Sequence, residues 1–351
     1  MANLGNIVKH GTYFIANKPG VIPRIMSGFF KGVVLRKPVL RTIDWAPTYI
    51  CNATCKMCSA RKLFNPKKKE LTHEERKMVW AQAKKLGVIH TQFTGGEPAV
   101  KGLDWICQAI RDLDPKNFLV SMTTNASLID EHWLDEMKAA GLDTIQMSID
   151  SLDPEKQDYF RGLKGNFNHI MKMKDYARSI GLSVCFGTVV WPADMENVWK
   201  RVEFTKKHGI FLALNPISSP DNWESKDFDM FQDEQLNDYN KLLEQSHVRA
   251  DTILNFSGKS GCPSGERIYI TAYGDVMSCP HIQISFGNVR EEPLETIWKR
   301  VVYSPMFEGY KDHCRWAFDK EFYKKYLGKY ENRDQKPVSY KEVFGDIKIP
   351  E

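Results

Sequence analysis

Before Asp44 the chain has no acidic residue at all. Lys9, Lys18, Arg24, Lys31, Arg36, Lys37 and Arg41 stand unopposed in residues 1–43, which therefore carry +7. All 44 Asp and Glu of the 351-residue chain follow, so the overall +5 becomes −2 for the remainder. A body that is slightly acidic, with no basic stripe interleaved with aromatics, does not suit nucleic acid. No apolar run approaches the roughly 20 residues of a bilayer-crossing helix. Low-complexity tracts are missing as well, and no secretory signal is recognisable at the start. Of eight cysteines, three crowd into residues 51–58 while Cys107, Cys185, Cys262, Cys279 and Cys314 are scattered. That distribution is a poor disulfide framework and points to metal or catalytic use in a reducing cytosol.

What is present begins with Cys51-Asn-Ala-Thr-Cys55-Lys-Met-Cys58. Three thiolates at C-x3-C-x2-C spacing can hold three irons of a 4Fe–4S cluster and leave the fourth open to a small chelating molecule. A zinc knuckle is the competing reading, but structural zinc wants four ligands and no fourth follows nearby. Upstream, Ile22, Ile25, Met26, Phe29, Phe30 and Val33 repeat at helical spacing among basic residues. Such a helix either covers one end of the fold or makes peripheral contact, through residues 10–41, with a membrane surface or a lipid-like substrate.

Downstream the pattern is β/α alternation. Strands are expected near 41–47, 88–94, 118–123, 144–150, 182–190 and 211–215. Helices are expected near 72–86, 102–113, 131–140, 166–180 and 194–208, several ending at a glycine that runs straight into a strand. Such an order demands parallel pairing with right-handed crossovers, an α/β fold. A further helix is expected near 234–246, after a polar stretch from Ser218 to Asp233 that reads as a linker or covering loop. From about 255, Tyr273-Gly274-Asp275 marks a hairpin and Pro293 starts a short helix at its tolerated first position. We divide the chain into a basic amphipathic segment (1–40), a barrel (41–247), a small hairpin-and-helix domain (248–318) and a tail (319–351) that suggests no function.

Ligand groups gather at the carboxyl ends of parallel strands. The cysteine loop follows the first expected strand there, Gly95-Gly96-Glu97 the second, Asn125 the third and Ser148 with Asp150 the fourth; Arg161 lies just beyond. Adjacent glycines allow close backbone approach to a ligand, Asn125 and Ser148 offer hydrogen bonds, and Arg161 can pair with a carboxylate. Each signal alone is weak; their shared edge makes them informative. Cys107 shares a helix face with Leu103, Ile106 and Ile110 and reads as core. Cys185, in mid-strand, could donate a hydrogen atom to a substrate radical if it faces inward, but a small buried thiol reads first as core.

Over residues 41–216 the chain resembles the radical S-adenosylmethionine (radical SAM) superfamily. The resemblance rests on Cys51-x3-Cys55-x2-Cys58, on Gly95-Gly96-Glu97-Pro98, and on Asn125 and Ser148–Ser151. It implies a partial (β/α)6 barrel, a 4Fe–4S cluster on Cys51, Cys55 and Cys58, and S-adenosylmethionine held by Met57, Gly95, Gly96, Glu97, Asn125, Ser148, Asp150 and Arg161. It further implies reductive cleavage to methionine and a 5′-deoxyadenosyl radical, with electrons from flavodoxin or ferredoxin. Met57 departs from the aromatic residue common before the third cysteine, though a thioether can still pack on adenine.

Cys262-x11-Gly274-x4-Cys279, followed by Gly287-Asn288-Val289, resembles the SPASM and twitch domains that carry auxiliary iron–sulfur clusters. With Cys314 as third ligand, at most one such cluster fits, its fourth iron open or bound by His281 or His313. The basic N-terminus suggests a membrane-lipid, isoprenoid or glycolipid precursor as substrate, and a soluble sugar or small metabolite is the other main candidate. The alternatives are a ribosomal precursor peptide, whose maturases often carry a recognition domain before the barrel, and a non-catalytic iron–sulfur binding or assembly protein. The expected location is the cytoplasm, with peripheral attachment to the inner membrane surface as the variant reading.

Overall fold

The computed structural model describes residues 17–217, 231–250, 265–305, 314–330, 333 and 335–350. Six parallel strands, β1 (Thr42–Thr48), β2 (His90–Gly95), β3 (Leu119–Thr124), β4 (Thr144–Ser148), β5 (Ser183–Val190) and β6 (Phe211–Pro216), pair in sequence order. Helices connect them, so the sheet curls into a half-barrel. The strands form where apolar and β-branched residues run together. Trp45 on β1 packs edge-on against Phe93 on β2, with ring centroids 5.2 Å apart, and against Trp80 on the helix between them, at 5.5 Å.

An amphipathic helix precedes the barrel, α1 (Ile22–Phe29), prolonged as a wider π turn through Phe30–Val34. It is followed by α2 (His73–Leu86) and α3 (Leu103–Asp112). Thr72 and Glu75 make the expected reciprocal cap on α2: Glu75 N–H donates to Thr72 Oγ1 at 3.2 Å and Thr72 N–H to Glu75 Oε2 at 2.8 Å. Gly87 ends α2 at φ +97°, a conformation that a side chain would oppose. Next come α4 (Glu131–Ala140), α5 (Pro154–Arg161), α6 (Asn166–Ser179), α7 (Met195–His208) and α8 (Asp233–Leu243). Helix α5 was not anticipated. Its signal is Asp153-Pro154: the Asp153 side chain accepts from Glu155 and Lys156 N–H, and proline occupies the first turn.

Among the described residues the sheet has nine strands rather than six. β7 (Val248–Ala250) pairs with β6, so the boundary drawn after residue 247 cuts off a strand of the barrel sheet. β8 (Arg267–Ile270) pairs in parallel with β1, and β9 (Val276–Met277) folds back antiparallel on β8 around Gly274. The expected hairpin is present, but it extends the barrel instead of standing apart. Across that pairing Arg267 on β8 forms an ion pair with the buried Asp44 on β1. Helix α9 (Leu294–Val302) follows, with Pro293 as its cap rather than its first residue. The polar stretch expected as a linker lies largely outside the described residues, as do Cys262 and His313.

The tail is part of the fold. β10 (Ile284–Ser285) pairs with β11 (Val338–Ser339). Past two short helices, α10 (Arg315–Phe318) and α11 (Lys320–Tyr326), α12 (Tyr340–Phe344) stacks Tyr340 and Phe344 near Phe286. The basic N-terminal helix covers the end of the barrel where strands begin. Arg24 lies over Phe118, 5.0 Å from the ring centroid, and Lys18 Nζ reaches Asp143 at 2.8 Å. That end is opposite the carboxyl ends of the strands, so the helix does not reach a substrate path there. Among the described residues no helix is long and apolar enough to cross a membrane.

Candidate active site

A cavity of about 650 Å3 opens at the carboxyl ends of the strands. Cys51, Cys55 and Cys58 line it, together with Met57, Gly95, Gly96, Glu97, Asn125, Ser148 and Arg161. Residues distant in sequence meet here because the loop after each strand begins at this edge.

The cysteine loop is tied to its surroundings on two sides. Gly96 N–H donates to Thr48 O at 2.9 Å and Glu97 N–H to Ile50 O at 3.0 Å. A Cβ on Gly96 would lie 2.3 Å from Ile50 O, so this glycine is needed for close backbone approach. On the other side, α5 ends against the loop. Thr54 N–H donates to Arg161 O at 3.3 Å and Lys56 N–H to Phe160 O at 2.9 Å. A Cβ on Gly162 would strike Thr54 Oγ1. Asn52 adds a third tie, donating to Ser127 Oγ at 2.8 Å and accepting from Asn125 Nδ2 at 3.0 Å. No local pattern marks Thr54, Gly162 or Asn52: the first two matter because α5 ends against the loop, and Asn52 because the turn after β3 reaches it.

Glu97 is buried, and its carboxylate accepts from Ala99 N–H, Thr124 Oγ1 and Asn125 N–H at 2.7–3.0 Å. Burial pushes its pKa up, and these hydrogen bonds oppose the shift. Glu97 thus locks the ends of β2 and β3 together as well as lining the cavity. Asp150 is not among the lining residues. It forms a buried ion pair with Arg161 at 2.5 Å and accepts from Val189 N–H at 2.8 Å, so it holds Arg161 in place. Arg161 Nη1 in turn lies 3.9 Å from Cys55 Sγ. Cys185 is buried and in register with Gln146; Gln146 lines the cavity and Cys185 is not among the lining residues. Cys107 is buried in the core, as expected.

Burial pushes the Cys51 thiol up to about 11 and raises Cys55, the latter opposed by Arg161. Desolvated thiols of this kind become good thiolate ligands only when a cation compensates them. Among the described residues no three His, Cys, Asp or Glu side chains converge tightly enough for a single metal ion. Three cysteine thiols line one cavity, the number that a 4Fe–4S cluster with one open iron takes, where structural zinc takes four ligands.

Pro280 and His281, next to Cys279, also line the cavity, and Gln283 Nε2 donates to Ser59 O at 3.0 Å, beside Cys58. Cys279 and Cys314 are half-buried. The strand-borne lining is polar, with Asp44, Gln92, Thr123, Gln146, Asn215 and Arg267, whereas Ile50, Leu63 and Phe64 are apolar.

The radical SAM superfamily model matches residues 45–205, and the model of an iron–sulfur cluster-binding domain, SPASM, matches residues 262–319. The chain belongs to the radical SAM superfamily. It is a radical SAM enzyme with a C-terminal SPASM domain, and its cofactors are a 4Fe–4S cluster, S-adenosylmethionine and an auxiliary iron–sulfur cluster. It is 26% identical over 312 residues to the AdoMet-dependent heme synthase of Nitratidesulfovibrio vulgaris, covering 79% of this chain and 84% of that one. Similarity to the PqqA peptide cyclase of Rhizobium meliloti is also 26%, over 272 residues, covering 72% and 71%. Among solved structures, Streptococcus suis SuiB bound to its precursor peptide SuiA shares the fold with a TM-score of 0.57 and 17% identity, covering 78% of this chain and 67% of that one.

Proposed function

We propose that this radical SAM enzyme is a maturase that modifies an unactivated carbon of a ribosomal precursor peptide. The observation that carries the reading is the mixed lining of the cavity. Its strand-borne part offers amides, hydroxyls and the Asp44–Arg267 pair, and Ile50, Leu63 and Phe64 are apolar. A lipid or isoprenoid chain would take water from those polar groups and return no hydrogen bonds, at about 1–3 kcal/mol for each group left unmatched. A peptide can satisfy them with its backbone while an apolar side chain faces Leu63 and Phe64. The lipid reading rested on the N-terminal helix, which sits at the other end of the barrel. Similarity to a peptide cyclase and a peptide-bound neighbour in fold support the peptide class. The greater coverage by the heme synthase favours a tetrapyrrole as the second reading.

In this reading Cys51, Cys55 and Cys58 hold the 4Fe–4S cluster. Met57, the Gly95–Glu97 turn, Asn125, Ser148 and Arg161 surround S-adenosylmethionine. Cys262, Cys279 and Cys314 hold the auxiliary cluster. When bound, the cluster and S-adenosylmethionine supply hydrogen-atom abstraction from carbon, with an external reductant of the flavodoxin or ferredoxin type. The chain's own part is to fix that chemistry in place and keep water away. Arg161, neutralised by Asp150, presents a guanidinium to Cys55 and a free edge to a carboxylate. Helix α5 and the glycine turn fix the loop on both sides.

The test is anaerobic incubation with dithionite, S-adenosylmethionine and the short peptides encoded beside the gene, reading 5′-deoxyadenosine and peptide mass. A peptide that raises deoxyadenosine formation and changes mass supports the reading. Stimulation by a tetrapyrrole or lipid with no response to any peptide would overturn it.

A further inference from the structure

The N-terminal helix has two faces with different fates. Its inner face is committed to the barrel through small residues. A Cβ on Gly28 would lie 2.9 Å from the Arg41 guanidinium, and one on Gly20 would overlap Asn117. Arg24 stacks on Phe118 beside them. This contact fixes the helix axis and the direction of its outer face. On that outer face Met26, Phe30, Val33, Val34 and Leu35 are between 42% and 63% exposed. Met26, Phe30, Val33 and Val34 follow i, i+4, i+7, i+8 spacing and form one ridge. Lys31, Arg36 and Lys37 are exposed beside it, and no acidic residue occurs before Asp44.

We propose that this ridge docks the enzyme on an anionic lipid surface, its apolar side chains entering the headgroup–acyl boundary and its lysines and arginines lying among the headgroups. An apolar ridge whose own segment carries only cations, with the carboxylates of Asp114 and Glu266 set against Arg24 and Arg41 on its inner side, is the pattern of helices that lie in a membrane interface. A second copy of the chain would bring the same positive charge onto it, so charge complementarity selects the anionic bilayer. The helix covers the starting ends of the strands, whereas the cavity opens at their carboxyl ends. Docking therefore turns the cavity mouth away from the bilayer, and the surface serves location rather than substrate entry. The inference is independent of the substrate class.

The test is flotation of the full chain, purified anaerobically with its clusters reconstituted. Vesicles of phosphatidylcholine mixed with phosphatidylglycerol are compared with phosphatidylcholine alone. The enzyme should float with the anionic vesicles, at least about tenfold less when Phe30→Ser and Val34→Ser are combined, and less in high salt. The unfolding temperature of that variant should match the parent, because both side chains face solvent. Failure of the parent to float, or equal flotation with neutral vesicles and with the variant, overturns the proposal. So does a dimer in sedimentation that Phe30→Ser with Val34→Ser converts to monomer, which would assign the ridge to a second copy.

Discussion

Gly96→Ala tests the link between the glycine turn and the cysteine loop. Gly96 has an ordinary backbone conformation, since its φ is not in the left-handed region. The demand for glycine is steric. A new Cβ would sit 2.3 Å from Ile50 O, 2.7 Å from Tyr49 C and 2.9 Å from Ile50 C, all backbone atoms that cannot rotate away. Restoring ordinary contact needs a displacement of roughly 1 Å. That displacement weakens Gly96–Thr48 and Glu97–Ile50, the two hydrogen bonds at 2.9 and 3.0 Å. Their loss is worth about 1 kcal/mol each, and overpacking adds about 1–3 kcal/mol. Alanine returns about 0.4–1 kcal/mol by stiffening the unfolded chain. The net expectation is a loss of about 2–4 kcal/mol, which lowers the Tm by on the order of 5 °C in a chain of this size. Thermal unfolding of anaerobic protein, with iron analysis of the same samples, measures both consequences, because the displaced segment leads directly into Cys51. Gly32→Ala is the control: its Cβ would meet only ordinary contacts at 3.8–3.9 Å, so it should keep the gain of about 0.4–1 kcal/mol with no steric loss. Parental Tm and iron content in Gly96→Ala would refute the steric argument.

Cys55→Ala should abolish deoxyadenosine formation and reduce bound iron from about eight to about four per chain, the auxiliary cluster remaining; retained cleavage would remove Cys55 from the site. Arg161→Leu leaves the buried Asp150 carboxylate without its cation and should cost about 3–5 kcal/mol, most of it recovered when Asp150→Asn is added, since the amide oxygen can still accept from Val189 N–H. Denaturant titrations of the two variants would expose an absence of coupling. His90 is buried against Ser121, and desolvation pushes its pKa from 6.5 down to about 3. Because the folded value lies below the unfolded one, the neutral ring's contribution is full above pH 6.5 and is lost as pH falls toward 3, at no more than about 1.4 kcal/mol per pH unit. His90→Asn should flatten the stability curve over that window; an unchanged curve would show that His90 does not govern the acid limb.

Local chemistry explains how much could be read in advance. Helix boundaries at Thr72 and Gly87 follow from a cap and a left-handed glycine, both properties of a few adjacent residues. The cysteine spacing and the Gly95–Glu97 turn are equally local, and the strand order follows once consecutive strands alternate with helices. Helix α5 went unread because it is short and lies within a polar stretch, although Asp153-Pro154 marks its start. The joining of β8 to β1 brings together Asp44 and Arg267, residues 223 apart in sequence, and no local pattern carries that pairing. Asp150 illustrates the same limit: its position at the strand edge was legible, but its buried ion pair with Arg161 was not. The amphipathic period of the N-terminal helix was legible, but not which end of the barrel it covers or that its apolar ridge faces outward. Sequence by itself determined the element types, the thiol chemistry and the edge at which ligands collect, because these depend on covalent spacing and side-chain type. Tertiary structure decided which polar side chains share the cavity, which hold one another, and where the basic helix points, because those depend on contacts between segments that only folding brings together.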